Sequence, residues 1–114
     1  MDTVSNYTET LEKTVRDLLE RQDDLIRTAF TDQLTGLGNR GGFARSLEEL
    51  WEQDAPVTMA FIDIDNLKHC NDVFGHDEGN RYILQVSLYL KLYMKADEAA
   101  FRIGGDEFAI LSTI

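Results

Sequence analysis

The stretch AFRIGGDEFAILSTI, residues 100–114, sets two glycines and two acids between apolar runs. AAFRI (99–103) and EFAILSTI (107–114) read as β-strands, since apolar, β-branched and aromatic side chains suit a pleated, half-buried surface. Gly104 and Gly105 fit the turn of a tight hairpin, where positive φ is cheap only for glycine. Asp106 and Glu107 then open the second strand of the pair.

Working outward, VTMAFIDID (57–65) is another β-rich apolar run, and it ends in acids. It predicts a buried strand over 57–63. NLKHCNDVFGHDEGN (66–80) is polar and punctuated by glycine, so it predicts a short helix and a loop. RYILQVSLYLKLYMK (81–95) predicts a longer helix, with Ile83, Val86, Leu90 and Tyr93 on its buried face. Upstream, TDQLTGLGNRGGF (31–43) reads as a glycine-rich loop. A helix over 41–53 follows, with Phe43, Leu47, Leu50 and Trp51 on one face, and Ala55-Pro56 ends it.

This order predicts an α+β fold, an antiparallel sheet of βααββ order with helices on one face. In that topology the third strand can lie beside the first and run antiparallel to it. Asp63, at the end of the first strand, then meets Asp106 and Glu107. Crowded carboxylates repel one another unless something compensates. A Mg²⁺ or Mn²⁺ ion is the usual compensation, and Mg²⁺ takes one or two carboxylates together with waters and substrate phosphates. Backbone carbonyl oxygen near Ile64 adds a further ligand. Taken singly, each acidic motif is better explained by a turn or strand end facing water; together, in this topology, they point to a cation.

Residues 1–30 form a separate segment without Gly or Pro. Val4, Leu11, Leu18 and Leu25 recur at spacing seven, with Thr8, Val15, Gln22 and Ala29 four residues after each. This pattern predicts a helix with a narrow seam. Two readings fit it: an amphipathic helix packed on its own domain, or a parallel coiled-coil dimer relaying a signal from upstream. The chain of 114 residues has 11 basic and 21 acidic side chains, a formal net charge of −10. That balance disfavours a broad grip on nucleic acid or on an anionic membrane. No apolar run reaches the ~18 residues of a membrane span. The single cysteine, Cys70, precludes an internal disulfide and fits a reducing, cytoplasmic setting, with the thiol buried as a small hydrophobe.

These residues resemble the GGDEF domain, the catalytic domain of diguanylate cyclases. Asp32-Gln33-Leu34-Thr35-Gly36-Leu37-Gly38-Asn39-Arg40 is similar to the opening motif of the family. Asp63-Ile64-Asp65, Lys68, Asn71-Asp72, Gly75-His76 and Gly79 are similar to its central motif, and Gly104 to Phe108 is the signature itself. The resemblance runs from about residue 31 to the end and covers around half of the family domain. It implies an N-terminal helix over 1–30 and the N-terminal part of a GGDEF domain over 31–114, with a partial nucleotide-cyclase, palm-like fold. The implied activity is condensation of two GTP into cyclic di-GMP by facing domains. The intact parent protein would carry it, and this stretch alone would not turn over.

Carried over by position, Asp63, the Ile64 carbonyl, Asp106 and Glu107 would hold divalent ions, with Asp106, Glu107 and Lys68 serving catalysis. Lys68 and the N–H groups around Leu67 would contact terminal phosphates. Asn71 and Asn80 would meet the guanine edge, and Gly104 and Gly105 would let backbone approach the nucleotide. Three departures stand out. Asn80 replaces the usual Asp, unless it serves to cap the helix at 81–95. Lys95 and Glu98 replace an Arg-x-x-Asp inhibition site, which implies weak or absent product inhibition. The strand at 57–63 lacks its neighbour in the family sheet, which implies an exposed apolar edge and association of copies through it.

Overall fold

The computed structural model describes residues 3–113. The Gly- and Pro-free leader forms one helix, α1 (Thr3–Phe30). The hydroxyls of Thr8, Thr10 and Thr14 donate back to carbonyls four residues earlier at 2.9–3.0 Å, so these residues do not interrupt it. None of its residues is buried. The heptad line stands in solvent, with Val4 71%, Leu11 55%, Leu18 58% and Leu25 70% exposed. The helix therefore does not pack along its own domain. It meets the body at its C-terminal end, where the Arg45 guanidinium lies 4.7 Å from the Phe30 ring centroid.

The loop that follows turns sharply through Asp32, whose carboxylate accepts from the Thr35 N–H at 2.9 Å and its hydroxyl at 2.7 Å. The Asn39 side chain then caps α2 (Arg40–Glu52) by accepting from the Gly42 N–H at 2.9 Å. Three strands follow: β1 (Thr58–Asp63), β2 (Glu98–Arg102) and β3 (Glu107–Ser112). Between β1 and β2 lie α3 (Leu67–Phe74) and α4 (His76–Tyr93). The sheet order is β1-β3-β2, antiparallel throughout. This is the α+β architecture expected, with the last strand inserted beside the first.

Strand alternation divides the sheet into two faces. Ile62 and its partner Phe108 face the core formed with Leu37, Ile64, Leu67 and Ile83. Phe108 is 0% exposed, the largest fully buried side chain among the described residues. Its burial is worth about 1.5–3 kcal/mol. The expected one-sided packing holds for α3 and α4, and α2 adds to the other face. There the Phe43 ring meets Phe61 and Phe101 edge-on, with centroids 6.1 and 5.6 Å apart.

Several local expectations give way. β1 is not buried, although its composition alone predicts burial; it is the sheet's exposed apolar edge, as the family resemblance implies, with Met59 47% and Phe61 63% exposed. Apolar composition reports what a strand is able to bury, not whether a neighbour is present. At the opposite edge the loop at Gly38 covers β2, accepting from the Arg102 N–H at 2.7 Å. α4 starts at His76, so most of the expected loop before residue 81 is helix, favoured by Asp77 and Glu78 in the first turn. Its buried line runs through Gly79, Ile83 and Ser87, with Val86 and Leu90 packed beside it. Tyr93, the last residue of α4, and Trp51, in the last turn of α2, are exposed. Cys70 is half-buried rather than sealed in the core.

Candidate active site

The register pairs Asp63 with Glu107, and the Ile64 N–H donates to the Asp106 carbonyl at 2.8 Å. The end of β1 is thereby zipped to the start of β3. Asp63, Asp106 and Glu107 each offer a carboxylate oxygen, and these oxygens lie within 4.8 Å of one another. All three side chains are exposed. Consecutive residues on a strand point to opposite faces. Asp106 escapes that rule because β3 begins one residue later, at Glu107. Both signature acids thus reach the same space as Asp63. Three hard, anionic oxygens at this spacing suit a hard divalent cation such as Mg²⁺ or Mn²⁺. The Ile64 side chain is buried in the core, which anchors the peptide beside them.

The turn itself departs from expectation. Gly104 and Gly105 are not in the positive-φ region, which among the described glycines is occupied by Gly36 and Gly75. The turn closes through the Glu107 carbonyl, which accepts from the Ile103 N–H at 3.0 Å and the Gly104 N–H at 3.3 Å. A β-carbon on Gly105 would meet nothing within 4 Å. What these glycines provide is bare backbone rather than a special dihedral.

Arg102 holds the turn from behind. One guanidinium nitrogen lies 3.3 Å from Asp32 Oδ1, and the other donates to the Gly105 carbonyl at 3.0 Å. The ion pair is mostly buried, with 17% and 19% side-chain exposure. The Lys91 ammonium donates to the Thr35 carbonyl, fixing the same loop from α4. Sequence reasoning missed both links. Asp32-x-x-Thr35 signals a side-chain turn, but nothing local names Arg102 or Lys91 as partners. Arg102→Ala should lower stability by about 1–2 kcal/mol, because Asp32 loses its cation but keeps the Thr35 donors. Urea unfolding at unchanged m-value checks it.

α3 starts at Leu67 after Asn66, which has φ 61° and makes no side-chain cap. The first-turn N–H groups around Leu67 and Lys68 lack that cap, as an anion-binding helix start requires. Lys68 is exposed on this turn, and Asn71, half-buried, is one turn further along α3. Asn80 lies inside α4, four residues past its first residue, and the N-cap is Gly75. The capping reading of Asn80 is therefore wrong. The helix begins earlier than the apolar pattern alone suggests.

Residues 29–113 match the family described as "Diguanylate cyclase, GGDEF domain". The chain belongs to the GGDEF domain family. It is 38% identical over 105 residues to diguanylate cyclase DgcP of Escherichia coli (strain K12), covering 89% of this chain and 31% of DgcP. It is 39% identical over 97 residues to diguanylate cyclase DgcN of the same organism, covering 82% of this chain and 24% of DgcN. The chain thus spans less than a third of either relative. Among solved structures it resembles the coiled coil and GGDEF domain of DgcB from Caulobacter crescentus in complex with c-di-GMP. The TM-score there is 0.87 at 30% identity, over 97% of this chain and 60% of that one.

Within this GGDEF domain the Lys95–Glu98 pair forms a closed local turn. The Lys95 N–H donates to Glu98 Oε1 at 3.0 Å, and the Glu98 N–H donates to the Lys95 carbonyl at 3.0 Å. No described helix is long and apolar enough to cross a membrane.

Proposed function

We propose that this chain supplies one GTP half-site of a diguanylate cyclase, acting in the intact protein with a second copy facing it. The observation that carries the reading is the convergence of Asp63, Asp106 and Glu107 oxygens within 4.8 Å at the β1–β3 end. With the Ile64 carbonyl they would hold Mg²⁺ or Mn²⁺. A bound ion of this kind supplies Lewis-acid polarisation of the α-phosphate and favours ionisation of the attacking hydroxyl. Lys68 and the N–H groups at Leu67 would bind the terminal phosphates. Asn71 and Asn80 would read the guanine edge, and the bare backbone of Gly104 and Gly105 would let the nucleotide lie close.

The 3′-oxygen of one GTP attacks the α-phosphorus of the other, and the bond to the β-phosphate breaks. A carboxylate of the Asp106–Glu107 pair takes the hydroxyl proton, and pyrophosphate leaves. The same step in the opposite sense closes the ring, giving one cyclic di-GMP and two pyrophosphates. Incubation of the full-length protein with GTP and Mg²⁺ should yield cyclic di-GMP on chromatography. For the 114-residue chain, the matching result is a rise in melting temperature that needs both GTP and Mg²⁺. Absence of both results overturns the reading.

Asn80 and the self-closed Lys95–Glu98 turn favour a second reading, a non-catalytic GGDEF module that binds nucleotide or a partner and signals through α1. Binding without turnover would select it.

In either case we assign α1 to a parallel coiled-coil dimer, because its heptad line is exposed and none of its described residues is buried. The open β1 edge, apolar at Met59 and Phe61, provides a second contact between copies. Leu18→Asp with Leu25→Asp should shift the protein from dimer towards monomer at micromolar concentration in analytical ultracentrifugation. An unchanged dimer would assign the association to the β1 edge instead.

A further inference from the structure

α3 and α4 are joined through Gly75 alone, and their packing brings Asn71 over Gly79. Gly79 is buried in the first turn of α4. A β-carbon there would overlap the Asn71 Oδ1 outright, and would lie 2.8 Å from its Cγ and 3.4 Å from its Nδ2. All three nearest atoms belong to one side-chain amide, so the space left by the missing methyl is filled by that amide and not by backbone. The backbone of Asn71 is held as well, since its carbonyl accepts from the Gly75 N–H at 2.9 Å. Among the described residues the Asn71 amide has no hydrogen-bond partner; its Oδ1 is the atom that sits in the Gly79 seat, and its Nδ2 donor lies further from it. It is therefore seated by shape alone.

We propose that Gly79 is a positioning residue for nucleotide recognition: its bare α-carbon is the seat that aims the Asn71 amide at the base. This rests on the reading of Asn71 as a guanine contact. The alternative is that Gly79 only permits close packing of two helices, and the two accounts predict different things. Ala is the better helix former in a helix interior. The atom it would strike is the tip of a flexible side chain, which swings away at little cost. Gly79→Ala should therefore keep or raise the melting temperature while displacing the amide.

The test uses the full-length protein with GTP and Mg²⁺, by calorimetry for affinity and by scanning for melting temperature. Gly79→Ala is expected to weaken GTP about tenfold, the loss of one buried hydrogen bond. KM rises and kcat holds, since a contact made equally in the ground and transition states is lost. Asn71→Ala should show a similar loss, and the double variant should lose no more than Asn71→Ala alone. Unchanged affinity in Gly79→Ala, with Asn71→Ala weakened, overturns the proposal and leaves the site reading intact. Losses that add in full in the double variant also overturn it. Unchanged affinity in Asn71→Ala removes the guanine contact itself, and the proposal with it. If Gly79→Ala alone fails to fold, the double variant restores the space, and a folded double variant that binds GTP more weakly than Asn71→Ala again counts against the proposal.

Discussion

Asp63→Asn, Asp106→Asn and Glu107→Gln should each lower the proposed cyclic di-GMP formation by the full-length protein by about a hundred- to a thousand-fold, the cost of removing one electrostatic contact in a preorganised site. Each substitution preserves shape and removes one negative charge from a cluster whose oxygens lie within 4.8 Å. Without metal, the same changes relieve repulsion, so the melting temperature should stay level or rise. With GTP and Mg²⁺, the ligand-dependent rise should shrink or vanish, because the proposed cation would lose a ligand. Asp65→Asn is the control. Asp65 belongs to the same Asp63-Ile64-Asp65 run and is exposed, yet it is outside the cluster. Its replacement should leave both readouts near the parent values. Activity within a few-fold of the parent in all three cluster variants would remove these acids from the chemistry. Loss of activity with a lowered metal-free melting temperature would give them a structural role instead.

Asn80→Asp should raise the preference for GTP over ATP by about ten- to a hundred-fold, if the proposed guanine contact is made. Guanine presents N1–H and N2–H₂ as donors on one edge. A carboxylate offers two acceptors to that pair, whereas an amide offers one acceptor and one donor. With guanine read by Asn80, one donor would face an NH₂ group, and an unmade buried hydrogen bond costs about 1–3 kcal/mol. Adenine, with one donor and one acceptor on the corresponding edge, suits the amide better. Because α4 is capped at Gly75 and Asn80 lies inside it, Asn80 has no capping duty that would explain the amide. Calorimetry with GTP and ATP on the parent protein and the Asn80→Asp variant checks this. A strong GTP preference that the substitution leaves unchanged would sink it.

Most of the secondary structure was legible in the residues. A Gly- and Pro-free leader rich in Leu, Glu and Arg reads as one helix, and α1 runs from Thr3 to Phe30. TMAFID and EFAILS read as strands, and the Gly104-Gly105 pair marks the turn between β2 and β3. These are matters of local propensity and period, which a few neighbouring residues decide. The approach of Asp63 to Asp106 and Glu107 was expected as topology, since a βααββ order allows the third strand to lie against the first, as it does here.

Tertiary packing decided the rest. The register of Asp63 on Glu107 and the escape of Asp106 from strand alternation depend on where pairing begins, which no local pattern states. β1 carries the composition of a buried strand yet is an edge, because burial is a property of neighbours; the family resemblance implied that edge, and the local composition did not. Tyr93 and Trp51 fit the helical period but sit in the last turns of their helices, where periodicity gives no measure of how far the core extends. The Arg102 link between Asp32 and the Gly105 carbonyl, and the seat of Asn71 on Gly79, join residues on different elements through side-chain geometry. Such contacts arise only once helices and strands have docked, so the chain specifies them through the fold as a whole and not through any stretch of itself.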